Sequence, residues 1–158
     1  MLQKNSEKCT IKRYMSKCLT LVILLAGLIS ACSDVNPIAP GGLASTDSLI
    51  TALRQQGAVA SRGETLPRGS NPFFATNAQL VIVNDRTVSV FEYATVAAAE
   101  ADAAKVSPDG SAVGNTMVTW VGPPHFYKAG ALIVIYAGND DVVLQSLEQV
   151  VGKPFAQR

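Results

Sequence analysis

An uncharged, mostly apolar stretch of 16 residues, from 18 to 33, limits what the first part of this chain can fold into. Five basic residues precede the stretch, and the first acidic residue after it is Asp34. A helix needs about 20 mostly apolar residues to cross a bilayer, so the stretch is short for a retained membrane span. A basic segment, an apolar segment and small residues, in that order, are typical of a removable secretion signal. We therefore expect residues 1–31 to be a signal peptide.

The sequence Ile29-Ser30-Ala31-Cys32 closes this stretch. It resembles the lipobox of bacterial lipoproteins, in which an aliphatic residue and two small residues precede a cysteine. The resemblance implies that a signal peptidase recognises Ile29, Ser30 and Ala31 and cleaves before Cys32. It also implies that Cys32 carries diacylglycerol on its sulfur and a fatty acyl chain such as palmitate on its amine. The lipid bilayer is thus the first expected partner, because two or three acyl chains suffice for stable anchoring.

Cysteine usage agrees with a location outside the cytoplasm. The three cysteines are Cys9, Cys18 and Cys32, so cleavage leaves one thiol and no intramolecular disulfide. A free thiol in an oxidising compartment is a liability unless it is covalently occupied, and lipidation occupies it. Ser33 follows the cysteine where some lipoproteins have Asp, which resembles proteins sorted to the outer membrane of hosts with two membranes.

Length and charge restrict the rest of the chain. Removing 31 of the 158 residues leaves 127, enough for one hydrophobic core. Five of the 13 basic and one of the 12 acidic residues precede residue 32, so the mature chain carries 8 basic and 11 acidic residues, a net charge of −3. This balance lacks the basic stripe that nucleic-acid binding requires.

The mature chain divides into a short linker and one domain. Residues 32–45 contain two prolines and two glycines without apolar periodicity, and we expect a flexible tether. Residues 46–158 are predicted to form a single α+β domain. Its antiparallel sheet would have four to five strands, with the helices packed on one face.

Apolar periodicity and turn residues locate the elements of this domain. The sequence predicts a helix over 46–57, capped by Ser45 or Thr46, and a short strand over 58–60. A hairpin over 79–93 turns at Asn84-Asp85-Arg86, a helix over 96–106 follows Thr95, and a strand is expected at 117–121. A second hairpin spans 126–136, and a final helix, capped by Asn139 or Asp140, is expected to bury Val142, Val143, Leu147, Val150 and Val151. Two successive β-β-α units suggest a duplication.

A candidate surface for a ligand or partner combines aromatic and rigid residues: Trp120, Pro123, Pro124, His125, Phe126 and Tyr127. Aromatic side chains beside two prolines could form a groove for a peptide or a glycan. We therefore expect a non-enzymatic interaction or ligand-binding domain whose partner is an unknown envelope protein, peptide or glycan. The segments 91–93 and 123–127 also resemble those of small bacterial lipoproteins, a resemblance that implies no activity.

Two alternatives remain open. His125 is the only histidine, and an envelope hydrolase would combine it with Asp109 and with Ser107 or Ser111. A purely structural envelope protein is the other alternative, and it would have neither a pocket nor an exposed aromatic cluster.

No metal or cofactor is expected. Asn139-Asp140-Asp141 could offer oxygen ligands to calcium, but a helix cap with first-turn acids explains it better. A zinc site lacks its ligands, because the chain has one histidine and no available cysteine. The glycines do not form a phosphate-binding pattern. We accordingly expect no catalytic residues, and only Cys32 carries an assigned modification.

Overall fold

The computed structural model describes residues 42–70 and 73–158. The signal peptide over 1–31, the recognition residues Ile29, Ser30 and Ala31, the lipidated Cys32 and most of the tether lie outside the described residues. Within the described ranges, no helix is long and apolar enough to cross a membrane.

The elements follow one another along the chain as a helix, three strands, a second helix, four strands, a third helix and a last strand. They are α1 (Thr46–Gln55), β1 (Ala60–Leu66), β2 (Ala78–Val83), β3 (Arg86–Glu92), α2 (Val96–Ala103), β4 (Ala112–Val113), β5 (Thr116–Met117), β6 (Pro124–Ala129), β7 (Leu132–Ala137), α3 (Asp141–Val151) and β8 (Ala156–Gln157). A short 3₁₀ helix over Arg68–Ser70 lies between β1 and β2.

Six strands form one antiparallel sheet in the order β1-β2-β3-β7-β6-β8, and β4 and β5 form a separate small hairpin. The α+β class predicted from the sequence is confirmed. The sheet has six strands where four to five were expected. Its two edge strands, β1 and β8, carry little apolar signal in the sequence. Only Ala60 is buried in β1, and β8 has two residues. Edge strands need no alternating apolar pattern, since part of their surface stays in water.

The two faces of the sheet carry separate cores. On the face we call the helix face, α1 and α3 cover side chains such as Val88, Val134 and Tyr127. On the opposite face, which we call the loop face, α2 and the segment 104–123 cover Phe91, Ile133 and others. The sequence placed all helices on one face, and the structure places α2 on the other. Its alanines allow this, because small side chains let a helix approach a sheet closely.

The two β-β-α units share their strands but not their helices. β2-β3 and β6-β7 are equivalent hairpins, and β3 pairs with β7 at the centre of the sheet. If a twofold axis related the two units across the antiparallel β3-β7 pair, it would run perpendicular to the sheet. Such an axis would keep both helices on the same face. Since α2 and α3 lie on opposite faces, the two β-β-α units are not equivalent, and their similarity extends only to the hairpins.

Local signals located the turns and caps correctly. Asn84 and Asp85 both have positive φ, 46° and 64°, as a two-residue hairpin turn requires. Ser45, Thr95 and Asp140 cap the three helices through side-chain oxygens that accept backbone N–H groups.

Three local expectations were wrong. Leu43 was placed in the tether, yet it is 2% exposed and packs in the helix-face core, so the ordered domain includes it. Val142 was expected to be buried and is 61% exposed, because the buried stripe of α3 runs through Val143 and Leu147. The strand expected over 117–121 is confined to Thr116–Met117, and residues 118–120 continue as irregular backbone.

Candidate binding grooves

Trp120 organises the loop face. Its indole N–H donates to the carbonyl oxygen of Gly110 at 2.7 Å, and its ring meets Phe126 edge-on with centroids 5.5 Å apart. The ring of Phe73 lies 6.3 Å away at 47°. The indole is thereby held in one orientation, half-buried, with part of its surface left to solvent.

Gly110 makes this arrangement possible. It has a φ of +66°, a conformation that side chains with a Cβ rarely adopt. A Cβ at this position would also lie 2.8 Å from Cε2 of Phe126, which is fully buried. A glycine therefore lets the 107–111 turn lie close to the sheet, where its carbonyl receives the indole N–H.

The segment 118–121 lies over the sheet and borders an open groove of about 910 Å³, which we call the main groove. Phe73, Trp120 and Val121 form its apolar side, and Val121 is fully exposed. Residues of the central strands β3 and β7 and of the segment before α3 form the other side. The residues of this second side that matter below are Arg86, Thr87, Ser89, Ile135, Asn139 and Asp140.

Several polar side chains of the main groove have no partner within the described part of the chain. The hydroxyls of Thr87, Ser89 and Thr119 and the amide of Asn139 make no hydrogen bond to other described residues. Ser89 is half-buried and pairs across β3 and β7 with Ile135, on a face whose other members are mainly apolar. Hydroxyls and amides both donate and accept hydrogen bonds, so this lining offers unused capacity of both kinds.

Charge in the main groove is internally balanced. Nε of Arg86 donates to Oδ2 of Asp140 at 3.2 Å. The other carboxylate oxygen of Asp140 accepts the backbone N–H groups of Val142 and Val143 at the start of α3. The bond from Arg86, followed by these N–H groups, lowers the pKa of Asp140. The helix-cap interpretation of Asn139-Asp140-Asp141 is therefore confirmed for Asp140.

A second, smaller groove of about 500 Å³ lies on the other side of the same segment. Trp120, Pro123 and Pro124 line it together with Arg158. Three members of the predicted surface thus line one groove.

The remaining members are placed elsewhere. Phe126 and Tyr127 are fully buried, in the loop-face and helix-face cores respectively, so neither side chain contributes to a surface. The prediction failed because alternate residues of a strand point to opposite faces, and both faces of β6 are covered. The hydroxyl of Tyr127 has no hydrogen-bond partner, and burial raises its pKa to about 12.

His125 belongs to the opposite side of the sheet from Trp120. It pairs with Tyr136 in β7, their rings stack with centroids 6.4 Å apart, and Nδ1 lies 3.3 Å from Oε1 of Gln157. Alternation along β6 places His125 with Tyr127 on the helix face. The histidine lies on β6, next to the short edge strand β8, and lines neither groove.

The residues of the hydrolase alternative are not brought together. Asp109 accepts the hydroxyls of Ser107 and Ser111 at 2.8 Å each, and the first of these bonds contributes most to lowering its pKa to about 2. This turn packs against Phe126 on the loop face, whereas His125 lies on the helix face. The two serines therefore donate to a carboxylate within their own turn instead of meeting the imidazole.

Sequence reasoning missed Phe73, Thr87, Ser89 and Asn139 as groove residues. Thr87 and Ser89 alternate with buried valines in β3, a pattern that predicts a polar face but does not reveal that a loop stands over it. Among the described residues, no group of three or more His, Cys, Asp or Glu side chains is arranged to hold a metal ion. No protein-family model, curated protein or solved structure matches the chain.

Proposed function

We propose that this chain is a lipid-anchored, non-enzymatic binding protein of the bacterial cell envelope, which uses the main groove to hold its ligand. One observation carries the binding role. The main groove combines an aromatic wall with hydroxyl and amide side chains that make no hydrogen bond to other described residues. Concave sites that combine apolar walls with a few convergent polar groups are the usual form of ligand sites.

The anchoring half of the proposal rests on the order of residues 1–34. Cys32 carries diacylglycerol on its sulfur, and residues 1–31 are removed during export. The tether then holds the domain close to the membrane that carries the anchor. This is the outer membrane if the host has two membranes. A groove that serves an envelope ligand gains from this placement, because the anchor restricts the protein to the layer in which the ligand lies.

Substitution of Cys32 by alanine tests the anchor. We expect the Cys32→Ala chain to lose both acylation and cleavage before residue 32, because the acceptor thiol is gone. Mass spectrometry of the protein from membranes measures both. Cys18→Ala is the matched control, since it removes a thiol from the signal segment and should leave acylation and cleavage unchanged. Acylated, processed protein in the Cys32→Ala strain would refute the anchoring proposal.

The groove itself is tested through Trp120, the only tryptophan of the chain. Because Trp120 lines the main groove, its fluorescence should change saturably when the groove is occupied. The acylated protein in lipid nanodiscs is titrated with maltohexaose, chitohexaose, blocked hexa-alanine and lauric acid. We expect at least one of these to bind and Thr87→Phe, which fills the groove, to abolish the response.

Thr51→Phe serves as the control for that variant. Thr51 is exposed on α1, on the helix face, so a phenylalanine there leaves the main groove open. A response that survives Thr87→Phe, or the absence of any response across the four probe classes, would count against a binding role for the groove.

A further inference from the structure

We infer that the ligand of the main groove is a neutral saccharide. This inference rests on the proposed binding function and specifies the ligand class. It follows from the kinds of hydrogen-bonding groups that the groove offers, from those that it withholds, and from its charge.

The polar groups on offer are hydroxyls and one amide. Thr87 and Ser89 lie two residues apart on β3 and so point to the same side of the sheet, and Asn139 lines the same groove. Each of these groups donates and accepts. A sugar hydroxyl does the same, so a row of sugar hydroxyls is satisfied by such a lining in several orientations.

The groove offers few backbone hydrogen bonds. Its floor is formed by β3 and β7, the two central strands. They pair with each other from Ser89 and Ile135 to Glu92 and Leu132, while β3 also pairs with β2 and β7 with β6. One common mode of peptide recognition pairs the main chain of an extended peptide with a free strand edge. Only residues 86–88 and 136–137, beyond the end of this pairing, have a neighbouring strand on one side alone, so the groove offers a peptide little strand edge to pair with.

Charge also argues against an ionic ligand. The one cation and one anion of the groove, Arg86 and Asp140, bind each other at 3.2 Å, and Asp140 is further engaged as a helix cap. The groove therefore carries no net charge that would attract an ionic ligand. A neutral ligand leaves the pair intact.

The aromatic side supplies the remaining contact. Trp120 is fixed by its bond to Gly110, and Phe73 lies beside it, so the wall is ordered before any ligand arrives. A pyranose ring has a face of C–H groups that packs on an aromatic surface while its equatorial hydroxyls point outward. Thr87 and Ser89 line the same groove as this wall, so a sugar that packs on the wall has hydroxyl partners within the groove.

The test compares saccharides with peptides on the acylated protein in nanodiscs. Maltohexaose, cellohexaose and chitohexaose are titrated against blocked hexa-alanine, with Trp120 fluorescence and isothermal calorimetry as readouts. We expect at least one hexasaccharide to bind. The variant Thr87→Val, which keeps the shape and removes the hydroxyl, should raise its Kd about 3- to 10-fold, the worth of one hydrogen bond. Thr51→Val is the matched control and should leave Kd unchanged.

The outcomes separate this inference from the proposal beneath it. Binding of hexa-alanine without any hexasaccharide would overturn the saccharide assignment while leaving a ligand-binding groove. Binding of a hexasaccharide with equal affinity in Thr87→Val, Asn139→Ala and the unaltered protein would also overturn it, because the polar lining would then be irrelevant. The absence of all binding would overturn both.

Discussion

Replacing Phe126 with alanine is expected to lower the free energy of unfolding by about 3 to 5 kcal/mol, the usual cost of deleting a buried aromatic ring. Phe126 is fully buried on the loop face, and it supports Trp120 edge-on with centroids 5.5 Å apart. Loss of the ring leaves a cavity beneath the tryptophan. Urea denaturation followed by circular dichroism measures the change, and Trp120 fluorescence of the folded variant should alter as well.

Phe155→Ala is the matched control for this prediction. Phe155 contacts Phe126 at a centroid distance of 6.1 Å, yet it is 39% exposed. Deleting the same ring from this site should cost about half as much or less, because less apolar surface returns to water. Equal costs for the two variants, or a loss below about 1 kcal/mol for Phe126→Ala, would contradict its place in the core.

Replacing Asp102 with alanine should cost about 2 to 4 kcal/mol, because buried donors would lose their acceptor. Asp102 is 3% exposed on α2. Its carboxylate accepts the hydroxyl of Tyr93 at 2.9 Å, the backbone N–H of Ala75 at 2.8 Å and the ammonium of Lys105 at 2.5 Å. The residue thus ties α2 to the end of β3 and to the loop that carries Phe73, one wall of the main groove.

The contribution of Asp102 should depend on pH. Burial by itself raises the pKa of Asp102, but the bonds from Lys105, Ala75 and Tyr93 outweigh it and leave the pKa lowered. A group whose pKa is lowered by folding stabilises the protein above its unfolded pKa, about 3.9, and loses that effect as the pH falls through its folded pKa. The stability difference between the unaltered protein and Asp102→Asn should therefore shrink below about pH 4.

Lys105→Ala separates the ion pair from the other two bonds. Half of the Lys105 side chain is exposed, so its removal should cost about 1 kcal/mol or less. Comparison of urea midpoints at pH 7 and pH 3 for the three variants gives all of these differences. A cost for Lys105→Ala as large as that for Asp102→Ala would show that the ion pair alone accounts for the stabilisation.

The fold was predictable where the signal is local. The turn at Asn84-Asp85, the caps Ser45 and Asp140 and the two hairpins follow from residues that lie next to one another in the chain. The edge strand β1 was not predicted at its full length, because its residues are mostly exposed and polar. Its strand conformation comes from pairing with β2, a partner that lies 12 or more residues further along the chain.

The candidate site was predictable only in part. Trp120, Pro123 and Pro124 do line a groove, whereas their neighbours Phe126 and Tyr127 are divided between the two cores. Aromatic composition indicated that residues 120–127 matter, but it could not say which ring would face solvent. That depends on what covers each face of β6, and the covering elements lie elsewhere in the sequence.

Taken alone, the sequence determined the α+β class, the hairpins and the helix ends, because periodicity and capping are properties of neighbouring residues. The tertiary structure decided which face each helix covers, how far His125 lies from the serine turn, and how Phe73, Ser89, Trp120 and Asn139 come together. These residues are far apart in the chain, and their juxtaposition arises only when the central strands pair and the 118–121 segment folds back over them.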